Sequence, residues 1–289
     1  MDKGGKTTKL ERSVLAIDSH WAEDRITRFV RDYVDRTGRK GLVMGISGGV
    51  DSSVCSTICA RAIGGNNILG LFLPEKETMR KEDMEHARLV AELSDMEFET
   101  VDVTSPTQTI FQALSTYDTN DKVANGNVRA RLRMIVLYYY ANRLGRLVAG
   151  SSDKSEAMLG YFTKWGDVCA DISPVMDLYK TQVRHLGRHL GLPDAIVNKP
   201  ATPSLWPGQT AEDELGLDYD TLDLILYGLE HWMSSDEISA QLGLSLDMVK
   251  AIEDRWLGAE HKRRLPLTAK IGFRSIGHDF RLPYALPKA

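Results

Sequence analysis

The chain has 289 residues, 43% hydrophobic and 26% charged, with a formal net charge of −4 at neutral pH. Those values describe a globular protein long enough to bury most of its apolar surface, as one large domain or one domain with an appendage. They exclude a general attraction to nucleic acid or anionic membrane, and no apolar run approaches the ~20 residues that would span a bilayer.

The polar start lacks the apolar core of a signal peptide, so residues 1–13 are expected to form a disordered leader and the chain to be cytoplasmic. Residues 14–289 are then read as one domain. Ile26, Phe29, Val30, Tyr33 and Val34 make a helical stripe ended by Gly38. Apolar runs predict strands at 41–46, 68–73, 98–103 and 147–149, with helices near 52–63, 80–93 and 127–144 between them. That alternation predicts an α/β fold, a doubly wound parallel sheet with helices on both faces. Ligands of such sheets sit beyond the carboxyl ends of the strands, where the winding reverses. If the first and fourth strands flank that point, the loops after Ile46 and Ala149 converge.

The first of those loops is Gly45-Ile46-Ser47-Gly48-Gly49-Val50-Asp51-Ser52-Ser53, followed by Val54, Cys55, Ile58 and Ala62 at helical spacing. Glycines at a strand-to-helix turn let a phosphate lie against backbone N–H groups, and the helix adds its positive end. Ser47, Ser52 and Ser53 offer hydroxyls. The loop has no lysine of the G-x-x-x-x-G-K-[ST] kind; Asp51 stands in it instead, and a carboxylate beside a triphosphate makes sense as a Mg²⁺ ligand. The S-G-G-x-D-S pattern resembles the PP-loop of the ATP pyrophosphatase superfamily, whose members cleave ATP to AMP and pyrophosphate.

The second loop carries Gly150-Ser151-Ser152-Asp153-Lys154-Ser155-Glu156, so Asp51 and Glu156 are placed to grip one metal. The helix before it is read as burying Leu132, Ile135, Val136 and Tyr139 on one stripe, with Arg129, Arg131, Arg133 and Arg143 on other directions. Arg131 or Arg133 is the candidate anion contact. Cys55, Cys59 and Cys169 form no C-x-x-C and no disulfide framework, and the first two are assigned to packing. Residues 235–252 have the spacing of a helix-turn-helix. Its second helix, however, presents Asp247, Glu253 and Asp254 against Lys250 and Arg255 alone, a poor match to phosphates, so a packed helical pair is expected and no nucleic-acid partner.

Taken with Asn127-Val128-Arg129-Ala130-Arg131-Leu132-Arg133-Met134, Gly160-Tyr161-Phe162-Thr163-Lys164-Trp165-Gly166-Asp167, Asp171-Ile172-Ser173-Pro174 and Leu178-Tyr179-Lys180, the two loops closely resemble the NAD synthetase family. Leu205-Trp206-Pro207-Gly208-Gln209-Thr210, Asp213-Glu214-Leu215-Gly216 and Glu260-His261-Lys262-Arg263-Arg264 extend the match over roughly residues 15–275. The resemblance implies a PP-loop/adenine nucleotide alpha hydrolase-like fold with a small C-terminal helical part at about 218–289. It also implies amidation of nicotinic acid adenine dinucleotide through an acyl-adenylate, with ATP as co-substrate, Mg²⁺ as cofactor, and NAD, AMP and pyrophosphate as products.

By the same resemblance, residues 45–53, Ser151, Lys180 and Thr202 contact ATP, and Asp51 and Glu156 hold magnesium. Arg131, Lys164, Asp171, His261 and Lys262 contact the dinucleotide. Asp171, expected to be buried, is the candidate for holding ammonium and taking its proton, with a backbone-pairing carboxylate as the plain reading. Two positions depart from the family pattern: Ala211 stands where an aspartate is frequent, and the order Ala201-Thr202-Pro203-Ser204 leaves either Thr202 or Ser204 as the hydroxyl that meets ATP. The Pro- and Gly-rich segment 199–216 reads as a lid that excludes water. No amidase domain accompanies the match, so free ammonia is the expected nitrogen donor, and a homodimer is implied. Another PP-loop ligase or a tRNA-thiolating enzyme is the runner-up.

Overall fold

The computed structural model describes residues 9–276, 279 and 280. Four strands, β1 (Leu42–Gly45), β2 (Ile68–Phe72), β3 (Glu97–Thr100) and β4 (Leu147–Val148), form one parallel sheet in the order β3-β2-β1-β4. Leu42 pairs with Ile68 on one side and with Leu147 on the other, so the winding reverses at the β1–β4 junction, which meets the condition for the loops after Ile46 and Ala149 to converge. An isolated bridge between Ala149 and Ile172 prolongs that edge.

Alternation along the strands divides the core in two. Leu42 and Met44 face one layer, packed under α1 (Ser19–Thr37), α2 (Val50–Ile63), α3 (Lys81–Leu93) and α7 (Lys180–His189). Val43, Leu69, Leu71 and Val148 face the other, covered by α4 (Thr104–Ala113) and α5 (Lys122–Leu144). The remaining helices are α6 (Lys154–Leu159), α8 (Asp194–Val197), α9 (Ala211–Leu215), α10 (Tyr219–Glu230), α11 (Ser235–Leu242), α12 (Leu246–Gly258) and α13 (Glu260–Arg263). A third apolar cluster joins α6 and α10–α12, with Leu222, Ile225, Ile238 and Val249 fully buried. The helix-turn-helix spacing is thus spent on packing α11 against α12.

Four expectations need correction. Leu10 and Leu15 are buried in the third cluster and the Leu10 N–H donates to Gln241, so residues 9–13 are fixed by apolar burial. Residues 1–8 of the expected leader lie outside the described residues. On α5, Ile135 and Tyr139 are exposed while Arg129 is buried, because the helix turns its Ala130–Leu137 side to the sheet. The C-terminal helices stop at Arg263; residues 264–276, with Pro266 and Gly272, run on without helix, and residues 281–289 lie outside the described residues. Finally, α4 was not anticipated, since its threonine- and glutamine-rich sequence buries only Thr107 and Phe111.

Candidate active site

Three helix N-termini meet beside the β1–β4 junction, those of α2, α6 and α7. At the first, β1 ends at Gly45 and the chain turns through Gly48, whose φ is +76°, into α2. A Cβ on Gly48 would lie 2.2 Å from the Asp83 carbonyl oxygen, so the start of α3 is pressed against the turn and only glycine fits. The α2 N-cap, Gly49, offers no side-chain acceptor to the first-turn N–H groups, which leaves them for an anion. The serines behave differently from one another. Ser52 and Ser53 donate to the Gly49 carbonyl at 3.2 and 2.7 Å and brace the turn. Ser47 is exposed at the mouth.

Asp51 lies in the first turn of α2, Asp153 caps α6 by accepting from the Glu156 N–H at 2.8 Å, and Lys180 opens α7. The Lys180 ammonium reaches Asp51 at 2.7 Å, Asp153 at 2.8 Å and Glu156 at 2.9 Å. Burial by itself would depress this lysine; the three carboxylates overcome it and hold its pKa well above the ordinary value. Burial, opposed by Lys180 and reinforced by Asp153 and Asp51, pushes Glu156 up to about 8. Negative charge is therefore in excess here. Asp51 Oδ1 is buried without a hydrogen-bond partner, and one oxygen from each of Asp51, Asp153 and Glu156 lies within 4.8 Å of the others. Hard oxygen donors, surplus negative charge and an orphaned oxygen together fit a divalent cation of the magnesium type.

These groups border a cavity of about 280 Å³. Gly45, Ile46, Ser47, Gly49, Val50, Asp51 and Ser52 line it, as do Ser151, Glu156, Thr202 and Ser204; Gly48, Ser53 and Lys180 stand behind its wall. The Thr202 hydroxyl accepts from the Ser204 N–H at 3.1 Å, so the two candidate hydroxyl residues occupy one tight turn and both face the cavity. Arg133 lines it too, with Nε on the Leu73 carbonyl, whereas Arg131 does not. Of the two candidate arginines, Arg133 is thus the one at this cavity.

Residues 199–205, the first part of the segment 199–216, line the cavity. Lys199, buried, donates to Asp83 at 2.5 Å and to the Gly48 carbonyl at 3.4 Å. Arg129, also buried, ties the Leu205 carbonyl to Glu77. Neither lysine nor arginine was singled out in the sequence for this tie, because their partners lie 52 to 151 positions away.

The five residues assigned to the dinucleotide sit elsewhere, around residues 160–171, and none of them lines the cavity. Arg131 donates twice to the Lys164 carbonyl, at 3.3 and 3.1 Å. Lys262 donates to the carbonyls of Gly160 and Phe162 at 2.7 and 2.9 Å, and His261 is exposed beside it on α13. Asp171 corrects an expectation: it is exposed rather than buried, and its Oδ2 accepts from the Val148 N–H at 2.7 Å at the end of β4. Asp171 stands one residue before the Ala149–Ile172 bridge, where the chain joins the edge of the sheet.

Known proteins resemble this chain in sequence and in fold. The NAD synthase family model matches residues 22–266. The NH(3)-dependent NAD(+) synthetase of Sulfolobus acidocaldarius is 42% identical over 273 residues, 94% of this chain and 97% of that one. Among solved structures, an NMN synthetase from Francisella tularensis superposes with a TM-score of 0.78 at 30% identity, over 89% of this chain and 100% of its own. The NH3-dependent NAD synthetase of Campylobacter jejuni gives 0.74 at 26% identity, over 88% of this chain and 100% of its own. A PP-loop at the β1–β4 junction, a carboxylate–lysine cluster behind it and identity along nearly the whole length lead to one conclusion: the chain belongs to the NAD synthase family.

Proposed function

We propose that this chain forms NAD from nicotinic acid adenine dinucleotide, ATP and ammonia, with AMP and pyrophosphate as the other products. The observation that carries the reading is the Asp51–Asp153–Glu156–Lys180 cluster behind an uncapped PP-loop helix, with Asp51 and Glu156 lining a cavity of about 280 Å³. The family relationship supplies the substrates.

In the first step a carboxylate oxygen of the dinucleotide bonds to the α-phosphorus and the bond to the β-phosphate oxygen breaks, releasing pyrophosphate. Two anions must approach each other, so oriented donors do most of the work. The free N–H groups of the α2 first turn hold the departing phosphates, Ser151 and the Thr202–Ser204 turn position the nucleotide, and Arg133 faces the cavity with a guanidinium. Lys180, rigidly held by three carboxylates, keeps a positive charge next to the loop as negative charge moves onto the leaving group. Asp51 and Glu156, with Asp153 behind them, would hold Mg²⁺, which when bound neutralises phosphate charge and polarises the reacting phosphoryl oxygens. In the second step ammonia attacks the acyl carbon, the bond to AMP breaks, and a proton is released. Residues 199–205, which line the cavity, keep water from the acyl-adenylate.

Arg131, Lys164, Asp171, His261 and Lys262 are proposed to engage the dinucleotide from the outer side of the 160–171 segment. We read the protein as a cytoplasmic homodimer. Exposed apolar side chains on α5, Ile135 and Tyr139, and beyond α13, Leu267, Ile271 and Phe273, support the second part, and sedimentation equilibrium tests it. Among the described residues no helix is long and apolar enough to cross a membrane.

The test is NAD and AMP formation from ATP, Mg²⁺ and the dinucleotide, with ammonium or glutamine in parallel. Equal NAD and AMP with ammonium, and little with glutamine, is expected. Because one structural neighbour is named an NMN synthetase, the corresponding mononucleotide acid is run as a competing substrate. Preference for it would change the substrate and keep the chemistry. Limited proteolysis checks the lid: cutting within 199–216 in the free protein and protection by ATP plus dinucleotide are expected, and equal cutting would sink that part.

A further inference from the structure

We infer that helix α10, from the C-terminal half of the chain, carries the seat of the active-site lysine, with Asp223 and Tyr219 as positioning residues. The inference rests on the role proposed above for Lys180.

Asp223 is fully buried, an isolated carboxylate in the otherwise apolar run Leu222–Leu226. Both of its oxygens are used. Oδ1 accepts from the Ser155 hydroxyl at 2.5 Å, and Oδ2 accepts from the Thr181 N–H at 2.8 Å. The Ser155 oxygen in turn accepts from the Lys180 N–H at 3.0 Å. The first two N–H groups of α7, which a helix cannot satisfy by itself, are therefore both anchored through one side chain of α10. Ser155 precedes Glu156, and Thr181 follows Lys180. One carboxylate thereby sets the separation of α6 and α7 at the two residues whose side chains meet in the cluster.

One turn earlier on the same face of α10, Tyr219 is fully buried, and its ring centroid lies 5.2 Å from the Lys180 ammonium. The ring's negative face supplies the side of the ammonium that the three carboxylates leave open. Backbone and side chain of Lys180 are thus held from the same helix, by residues four positions apart.

A carboxylate that served folding alone would lower the melting temperature without touching the chemical step. The experiment therefore measures kcat, KM for ATP and dinucleotide, and Tm for Asp223→Ala, Asp223→Asn, Tyr219→Leu and Tyr219→Phe, each in the natural chain and in a Lys180→Ala background under single-turnover conditions. We expect Asp223→Ala to lower kcat about 30-fold with both KM values within about threefold, the signature of an interaction made only on the way to the transition state. Asn, which keeps an acceptor for the Thr181 N–H, should lose about fivefold, and Tyr219→Leu a similar amount, while Tyr219→Phe keeps the ring and the rate. In the Lys180→Ala background all four should cost nothing more, because residues acting through one group are not additive.

Equal losses in both backgrounds, raised KM at unchanged kcat, or an unchanged rate would each overturn the inference. Should Asp223→Ala fail to fold, the Asn variant decides by the same criteria. Loss in Lys180→Ala with no effect at Asp223 or Tyr219 overturns this inference alone; full activity in Lys180→Ala removes the proposed role of the lysine itself.

Discussion

At the carboxyl end of β1 the charged side chains face one another, whereas around residues 160–171 they face backbone groups. Lys180 is enclosed by Asp51, Asp153 and Glu156 within 2.9 Å, and burial makes each contact strong and each loss severe. Arg131 and Lys262 instead rest on the carbonyls of Lys164, Gly160 and Phe162, and Asp171 on a backbone N–H. The difference teaches what each region is built for. The inner cluster encloses one ammonium in three carboxylates, and its surplus negative charge suits a divalent cation. The outer set rests its charges on backbone groups, and its proposed role is to exchange them for the phosphates or carboxylate of the dinucleotide.

The comparison is broken most sharply at the inner cluster. Asp51→Ala removes a cavity-lining carboxylate and leaves Lys180 one partner short, so kcat should fall by about 10³-fold or more, with modest change in KM for the dinucleotide. A steady-state assay that found less than about tenfold loss would remove Asp51 from the chemistry. Gly48→Ala comes next. Left-handed φ and a 2.2 Å approach to the Asp83 carbonyl force the turn or α3 to move, so ATP affinity should weaken by about 10²-fold, read by equilibrium binding. On the outer side, Arg131→Ala should raise KM for the dinucleotide by about tenfold while ATP binding stays unchanged. A shift in ATP affinity of the same size would erase the division between the regions.

Asp171→Asn sharpens the comparison further. Asparagine can still accept from the Val148 N–H, so the fold should be kept. A role in holding ammonium requires a rise in ammonia KM or a fall in turnover. With neither, Asp171 is only the carboxylate that ends β4.

What was legible in the sequence follows the same division between local and distant. The PP-loop could be read because its glycines, serines and Asp51 lie within nine residues and answer to one local requirement, a tight turn into a helix. The parallel sheet followed from the alternation of apolar runs, whereas the β1–β4 junction entered only as the condition under which the two loops converge. Glu156 followed from the expected convergence of the loops after β1 and β4, whereas Lys180 was reached through family resemblance, because no spacing records that the start of α7 joins the other two helix ends. Asp223 left a trace that went unused: a lone carboxylate inside the apolar run of α10, which is the kind of buried polar group that carries information. The stripe on α5 was misjudged because Arg129 and Arg133 have partners on the sheet side, in Glu75, Glu77 and the Leu73 carbonyl, that hydrophobic periodicity does not count.

The smallest effect tests whether the seat of Lys180 is built at a thermodynamic cost. Burial raises the Asp223 carboxyl from its ordinary 3.8 to about 7, only partly offset by the Ser155 hydroxyl and the Thr181 N–H. Between those two values the folded chain holds this proton while the unfolded chain has released it. More protons bound in the folded state means that stability falls as pH rises through that window, and the loss is complete once pH passes the folded value. Asp223→Asn is neutral at every pH, so chemical-denaturation midpoints of variant and parent compared from pH 4.5 to 8.5 isolate this one group. The stability of the variant relative to the parent should climb with pH up to about 7 and then level off. A flat difference would mean that the donors from Ser155 and Thr181 fully compensate burial, and the inner region would then hold its buried carboxylates without the strain that separates it from the outer one.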